Sequence, residues 1–151
     1  MPKFTLNYSL YNHGWADVSF ADNNQKFETS VSYLHDSVLD LVNMALDLKN
    51  GLRTSEAIFL QEPGETRLVV NVNNENAYYE VRVYKDWASW GSTPLDDYKV
   101  MMSGLCSSTR IVQQIHTALY KLYEDIGPEE YKKRWVEHDF PEALYKRLQA
   151  S

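Results

Sequence analysis

A single segment near the middle of the chain, Leu34–Gly51, constrains the fold more than any other. Its apolar residues recur every three or four positions, which predicts one helix of about four turns. A narrow polar stripe interrupts the apolar surface and consists of Asp36, Asp40, Asn43 and Asp47. Asp36 or Ser37 can cap the N-terminus, and Gly51 can adopt the left-handed conformation that ends a helix. A helix with so little polar surface must be covered on most sides by the rest of the chain.

The residues before this helix have the two-residue periodicity of β-strands. Apolar and polar side chains alternate over Phe4–Leu10, Ala16–Phe20 and Phe27–Tyr33. Turns at residues 12–14 and 22–24 separate the three segments, because Asn, Asp and Gly tolerate the backbone conformations of tight turns. The pattern predicts an antiparallel meander with one buried and one polar face, which runs directly into the helix.

The residues after the helix predict four further strands and then helices. The strands are expected at Ser55–Gln61, Arg67–Asn73, Tyr78–Lys85 and Tyr98–Leu105, with a turn at residues 62–65 and a loop over Trp87–Asp97. Helices are expected at Thr109–Ile126 and Pro128–Glu137, and a last helix starts at residues 139–141. The order therefore predicts a single α+β domain over residues 1–151: three strands, a central helix, four strands and C-terminal helices.

The charge of the chain is acidic and unevenly distributed. The formal net charge is −6. Residues 1–100 contain 8 Lys or Arg against 14 Asp or Glu, whereas residues 101–151 contain 7 of each class. An acidic field repels phosphates, so nucleic acid is an unfavourable partner. The same field attracts a basic protein and speeds its encounter.

The sequence favours a cytoplasmic protein. The single cysteine, Cys106, cannot form an internal disulfide, so no oxidising compartment is implied. The N-terminal residues contain no apolar run that resembles a signal peptide. No segment approaches the ~18–20 continuous apolar residues of a membrane span, and we predict no association with a membrane.

Residue patterns that would indicate catalysis or cofactor binding are missing from the sequence. The four histidines are scattered and none forms a pair at metal-binding spacing. No phosphate-binding loop and no nucleophile elbow is present. Cys106 precedes a predicted helix N-terminus, which would lower the pKa of its thiol and makes it the one candidate nucleophile; a buried, inert thiol is the alternative. We predict no enzymatic activity, no metal and no cofactor.

The aromatic residues are more informative. Trp87 and Trp90 lie in the predicted loop among acidic residues, and Tyr78 and Tyr84 lie on the face of their strand opposite its buried residues. Exposed Trp and Tyr next to carboxylates are typical of a protein interface. Alternatively, the two tryptophans cover one end of the sheet. Stacking of single-stranded nucleic acid is a third possibility, but it normally requires a basic groove.

Two parts of the chain resemble a group of small bacterial proteins. The run SYLHDSVLDLVNMALDLKNG, followed by FLQEPGETRLVV, carries the resemblance over residues of about 27–83. Trp135, Phe140 and Pro141 extend it over residues 131–148. Proteins of this kind include immunity proteins of contact-dependent inhibition and other polymorphic toxin systems, and the resemblance implies a toxin-binding protein with no catalytic motif. The element order is also similar to the Whirly-type arrangement that binds single-stranded DNA, but the acidic charge argues against that activity.

Together these features predict a cytoplasmic immunity protein that binds and occludes a basic toxin domain. A nuclease is the natural target, because its polyanionic substrate requires a basic active-site surface. The residues expected to contact the toxin are Asp36, Asp40, Glu62, Glu65, Trp87, Trp90, Asp96 and Asp97. The alternative is a module that binds a small ligand or single-stranded nucleic acid on the same sheet, with residues 132–134 as the nearest basic cluster. An enzyme would require a cleft that joins Cys106 to a histidine.

Overall fold

The computed structural model describes residues 3–151 and contains two antiparallel sheets joined by a helix. The first sheet has the order β1 (Thr5–Leu10), β2 (Trp15–Ala21), β3 (Lys26–Ser32). The second has the order β4 (Thr54–Leu60), β5 (Glu65–Asn73), β6 (Asn76–Tyr84), β7 (Lys99–Ser107). The helices are α1 (Ser37–Lys49), α2 (Ser108–Lys121), α3 (Pro128–Trp135) and α4 (Glu142–Ala150). The predicted α+β class and element order are confirmed.

Helix α1 has the predicted caps and is shorter than predicted. The side chain of Asp36 accepts a hydrogen bond from the backbone N–H of Leu39 at 3.2 Å, and Gly51 has a φ of +83°. Tyr33 and Leu34 form a turn, so the helix begins only after its capping residue. The apolar stripe of the helix is buried. It includes Val38, Leu41, Val42, Ala45 and Leu48.

The core lies between the inner faces of the two sheets and the helices that cover them. The rings of Phe20 and Phe59 have centroids 5.7 Å apart and join one sheet to the other, and Phe4, which directly precedes β1, lies 4.7 Å from the ring of Tyr79. Tyr79 also donates its hydroxyl to the carboxylate of Asp22, in the turn between β2 and β3. These contacts fix the inner face of the second sheet and leave its outer face open.

The C-terminal helices close the remaining side of the core with aromatic residues. Helix α2 ends at Lys121 and continues as a wider turn over Leu122–Ile126, so the single helix predicted over this range is interrupted. Trp135 of α3 packs edge-on against Tyr8 of β1, with ring centroids 6.3 Å apart. None of the helices formed by residues 3–151 has both the length and the apolar character required to cross a membrane.

Candidate functional site: the outer face of the second sheet

Large exposed apolar side chains concentrate on the outer face of the second sheet. Within residues 3–151, eleven such side chains are exposed, and six of them lie on this face or on the loop across its end. We call these six the outer patch: Tyr78, Trp90, Leu95, Val100, Met101 and Leu105. Strand alternation accounts for part of the pattern, since Met102 and Cys106 point into the core and Leu105 points away from it. Buried apolar area normally drives association, so this surface is the candidate binding site.

The loop between β6 and β7, residues 85–98, is fastened across one end of this face, and we call it the crossing loop. Tyr84 donates its hydroxyl to the carbonyl of Leu95 at 2.7 Å. Trp87 donates its indole N–H to the carbonyl of Gln61, also at 2.7 Å. These bonds join the loop to two different strand ends. A loop held in this way loses little further entropy when a partner binds to it.

A buried ion pair beneath the crossing loop strengthens this attachment. Glu65 is fully buried, and its Oε2 accepts a hydrogen bond from Arg67 Nε at 2.6 Å, while its Oε1 accepts one from the backbone N–H of Ser89 at 2.9 Å. Burial disfavours the charged guanidinium, but the hydrogen bond and charge of Glu65 raise the pKa of Arg67 above its ordinary value. The prediction that Glu65 contacts a partner is wrong, because its carboxylate is enclosed and already paired.

The aromatic residues of this region divide into supporting and exposed groups. Trp87 is half-buried and Trp90 is 54% exposed, and their ring centroids lie 5.0 Å apart. Trp87 therefore covers the end of the sheet, which is one of the two predicted roles. Trp90 is exposed, as the other predicted role, contact with a partner, requires. Tyr84 lies on the predicted face of β6 but is buried beneath the crossing loop, so its expected exposure is wrong. Tyr78 on the same strand is exposed as predicted.

The charges that this face presents are mainly carboxylates. Arg82 is held by Glu80 at 2.8 Å, and its guanidinium lies 4.4 Å from the ring centre of Tyr98. Both arginines of the outer face are thus engaged within the protein. Asp96 and Asp97 are exposed and form no ion pair with any residue from 3 to 151. The crossing loop accordingly carries unpaired negative charge next to exposed apolar side chains.

Asp36 and Asp40, two of the predicted contact residues, lie apart from the outer patch. They stand at the N-terminus of α1, beside β4, which is at the opposite edge of the sheet from β7. Asp40 accepts a hydrogen bond from the backbone N–H of Ile58 at 2.9 Å and lies 2.7 Å from His35 Nε2. Both carboxylates therefore have structural partners. Glu62 is exposed in the turn between β4 and β5.

The contact between His35 and Asp40 predicts a pH dependence of stability. Burial lowers the pKa of His35, but the hydrogen bond and charge of Asp40 outweigh it and raise that pKa above 6.5. The stabilisation is fully present below pH 6.5 and is lost as the pH rises through the folded-state pKa. We expect the melting temperature to fall between pH 6 and pH 8, and to fall less in His35→Asn. His13→Asn, in an exposed turn, is the control; an equal slope in all three proteins would contradict the prediction.

The structure argues against Cys106 as a nucleophile. Its side chain is 1% exposed, and burial raises the pKa of the thiol to about 11 although the charge of Arg110 lowers it. Of the two alternatives, the buried, inert thiol therefore applies, because desolvation of the thiolate outweighs any effect of the start of α2. Over the described range 3–151, no three His, Cys, Asp or Glu side chains converge to hold a metal ion.

A cavity of about 570 Å³ lies where α1 ends, beside the turn between β5 and β6. Its lining includes Arg53, Asn73, Asn74 and Ser108. The volume is within the range of small-molecule sites. The cavity lies at the end of the second sheet opposite the crossing loop, so a small ligand bound there would not occupy the outer patch.

Comparisons with known proteins give one distant similarity. No family model and no curated protein matches the chain. A chain of the solved CdiA-CT/CdiI toxin and immunity complex from Enterobacter cloacae is similar over 78% of this chain and 98% of its own length. The sequence identity is 11% and the TM-score is 0.45. A similarity at this level carries no argument about the function of this chain.

Proposed function

We propose that this chain is an immunity-type protein of the bacterial cytoplasm that binds a toxin domain and blocks its active surface. The observation that carries the proposal is the outer patch: exposed apolar side chains on an open sheet face, next to unpaired carboxylates on a fastened loop. This combination suits tight association with another protein. The sequence resemblance to immunity proteins favours the same function.

The acidic surface favours a toxin that acts on nucleic acid. A nuclease needs a basic surface to hold its polyanionic substrate, and a carboxylate-bearing protein can occupy that surface in place of the substrate. Charge of this kind raises the association rate, while a few buried aromatic and apolar side chains lengthen the residence time. Inhibition would follow from occlusion, with no chemical step in this chain.

Capture from the native host tests the proposal. The tagged chain is expected to retain one small basic protein in a ratio near one to one at low salt. Expressed alone, that protein should stop growth; expressed with this chain, it should be harmless. If no protein is retained, the immunity function is rejected, and stabilisation by small molecules becomes the next measurement because of the cavity near Arg53.

Salt dependence provides a second prediction. Association with the captured partner is expected to slow steeply between about 0.05 M and 0.5 M salt, because screening shortens the range of the acidic field. Stopped-flow fluorescence of the tryptophans measures this rate. An association rate that does not change with salt would contradict the role of charge, although it would leave an apolar interface intact.

A further inference from the structure

We infer that the outer patch is the docking surface, and that its occupant is a lysine- and arginine-rich face of a partner protein with apolar side chains at its centre. This inference rests on the proposed function and adds to it which face binds and what chemistry it recognises. Three of the residues predicted to contact the toxin, Asp36, Asp40 and Glu65, are excluded from this surface, because their carboxylates have partners within the protein.

The apolar part of the surface lies along the edge strand in two groups, with the polar pair Ser103 and Glu80 between them. Val100 and Leu105 are separated by about 17 Å along β7 at the usual strand rise. Tyr78 pairs directly with Leu105 on the neighbouring strand, and Met101 lies at the irregularity in the pairing of β6 and β7. All four side chains are at least 41% exposed. A partner of ordinary interface size can cover both apolar groups at once.

The partner is expected to bind on the face of the sheet rather than to extend it by another strand. The side chain of Gln25 occupies the edge of β7: its amide donates to the carbonyl of Ser103 at 2.9 Å and its oxygen accepts from the N–H of Ser103 at 3.2 Å. These bonds use the backbone groups that an added strand would need in the middle of β7. The open surface is therefore the outer face itself.

Charge complementarity determines the class of the occupant. The crossing loop carries Asp86, Asp96 and Asp97 against one lysine, Lys85, and Lys99 begins the strand that follows it. Arg67 and Arg82 add no free positive charge, since each is held by a glutamate. Nucleic acid is disfavoured by this balance, and so is a second copy of a chain with a net charge of −6. A basic protein surface is the complementary class.

Trp90 is the expected anchor of this surface. Its indole is 54% exposed and is supported from behind by Trp87, which is hydrogen-bonded to the sheet. A supported tryptophan in a loop that also carries carboxylates can stack with a guanidinium group, whose charge the carboxylates complement. Tryptophan and arginine are also the residues that most often dominate binding energy at protein interfaces.

Site-specific photo-crosslinking in the native host tests the docking surface even while the partner is unidentified. The probe p-benzoylphenylalanine replaces Tyr78 or Leu105 in the patch, and replaces Trp15 or Tyr120 as exposed aromatic controls elsewhere. We expect the two patch positions to give an adduct with the same basic protein, and the two control positions to give none. The urea midpoint of each variant shows whether it is folded.

Each of the other outcomes overturns the inference, the proposed function or both. An adduct only at the control positions would overturn this inference and leave the proposed function standing. An adduct with twice the mass of the chain would identify a second copy as the occupant, and an adduct with nucleic acid would exclude a protein; either overturns the inference. No adduct at any position would reject the proposed function together with the inference.

Charge reversal supplies a second, independent readout. Asp96→Lys with Asp97→Lys is expected to lower the adduct yield from position 105 by about tenfold, because two attractive charges become repulsive. Glu124→Lys with Asp125→Lys makes the same change of charge on exposed residues after α2 and should leave the yield within about twofold. An equal loss in both double variants would show that only overall charge matters and would overturn the assignment to this face.

Discussion

Replacing Arg67 with methionine is expected to lower the free energy of unfolding by about 3 kcal/mol, because it leaves a buried carboxylate without its partner. Glu65 is fully buried, and Arg67 Nε lies 2.6 Å from its Oε2. The guanidinium also holds Glu56 and contacts Ser89 of the crossing loop, at 3.2 Å and 3.3 Å. Urea unfolding followed by circular dichroism measures the loss.

A compensating change separates the charge effect from lost packing. Arg67→Met combined with Glu65→Gln should recover much of the stability, since the remaining buried group is then neutral. In the single variant, the crossing loop should also exchange its amide hydrogens faster, because the carboxylate that accepts from Ser89 N–H is no longer held. A loss below about 1 kcal/mol for Arg67→Met would contradict the structural role of the pair.

The second large effect is expected at Gly14, where Gly14→Ala should cost about 3 kcal/mol through backbone strain and steric overlap together. Gly14 has a φ of +79°, and an added Cβ would overlap with Cδ1 and Cγ of the Tyr33 ring. Rotation of the ring would not relieve the contact fully, because the N–H of Tyr33 donates to the carbonyl of Gly14 at 2.9 Å and so holds the Tyr33 Cβ, which would lie 3.1 Å from the added Cβ. The N–H of Gly14 itself donates to the carbonyl of Arg134 at 2.7 Å, so the strain would reach α3.

Gly51→Ala is the matched control for this prediction. Gly51 has a similar φ of +83°, but an added Cβ would meet no atom within 4 Å. The left-handed backbone conformation alone should lower the free energy of unfolding of Gly51→Ala by about 1 kcal/mol. Thermal unfolding of both variants gives the comparison, and equal destabilisation would show that the contact with Tyr33 contributes nothing.

Local patterns predict the elements that depend on local interactions. The alternation of apolar residues locates most of the strands, and the capping carboxylate of Asp36 with the glycine at position 51 locates α1. These features follow from residues a few positions apart. The predicted helix extends too far toward the N-terminus, because Leu34 continues the apolar spacing although its backbone forms a turn.

The candidate site depends on contacts between distant residues, which sequence patterns could not supply. Alternation places Tyr84 on the correct face of β6, but its burial results from the crossing loop folding back over it. The turn signal at residues 62–65 includes Glu65, whereas this residue begins β5 and pairs with Arg67 beneath the same loop. Trp87 and Gln61 are joined across 26 positions, and no local signal distinguishes Trp87 from Trp90.

The most direct test of the central claim is a growth assay in cells that produce the captured partner together with one version of this chain. Three versions are compared: the unaltered chain, the patch variant Trp90→Ala with Asp96→Lys and Asp97→Lys, and the control Trp15→Ala with Glu124→Lys and Asp125→Lys. We expect growth with the unaltered chain and the control, and growth arrest with the patch variant. Arrest with the unaltered chain would contradict the immunity function, and growth with all three would contradict the outer patch as its binding surface.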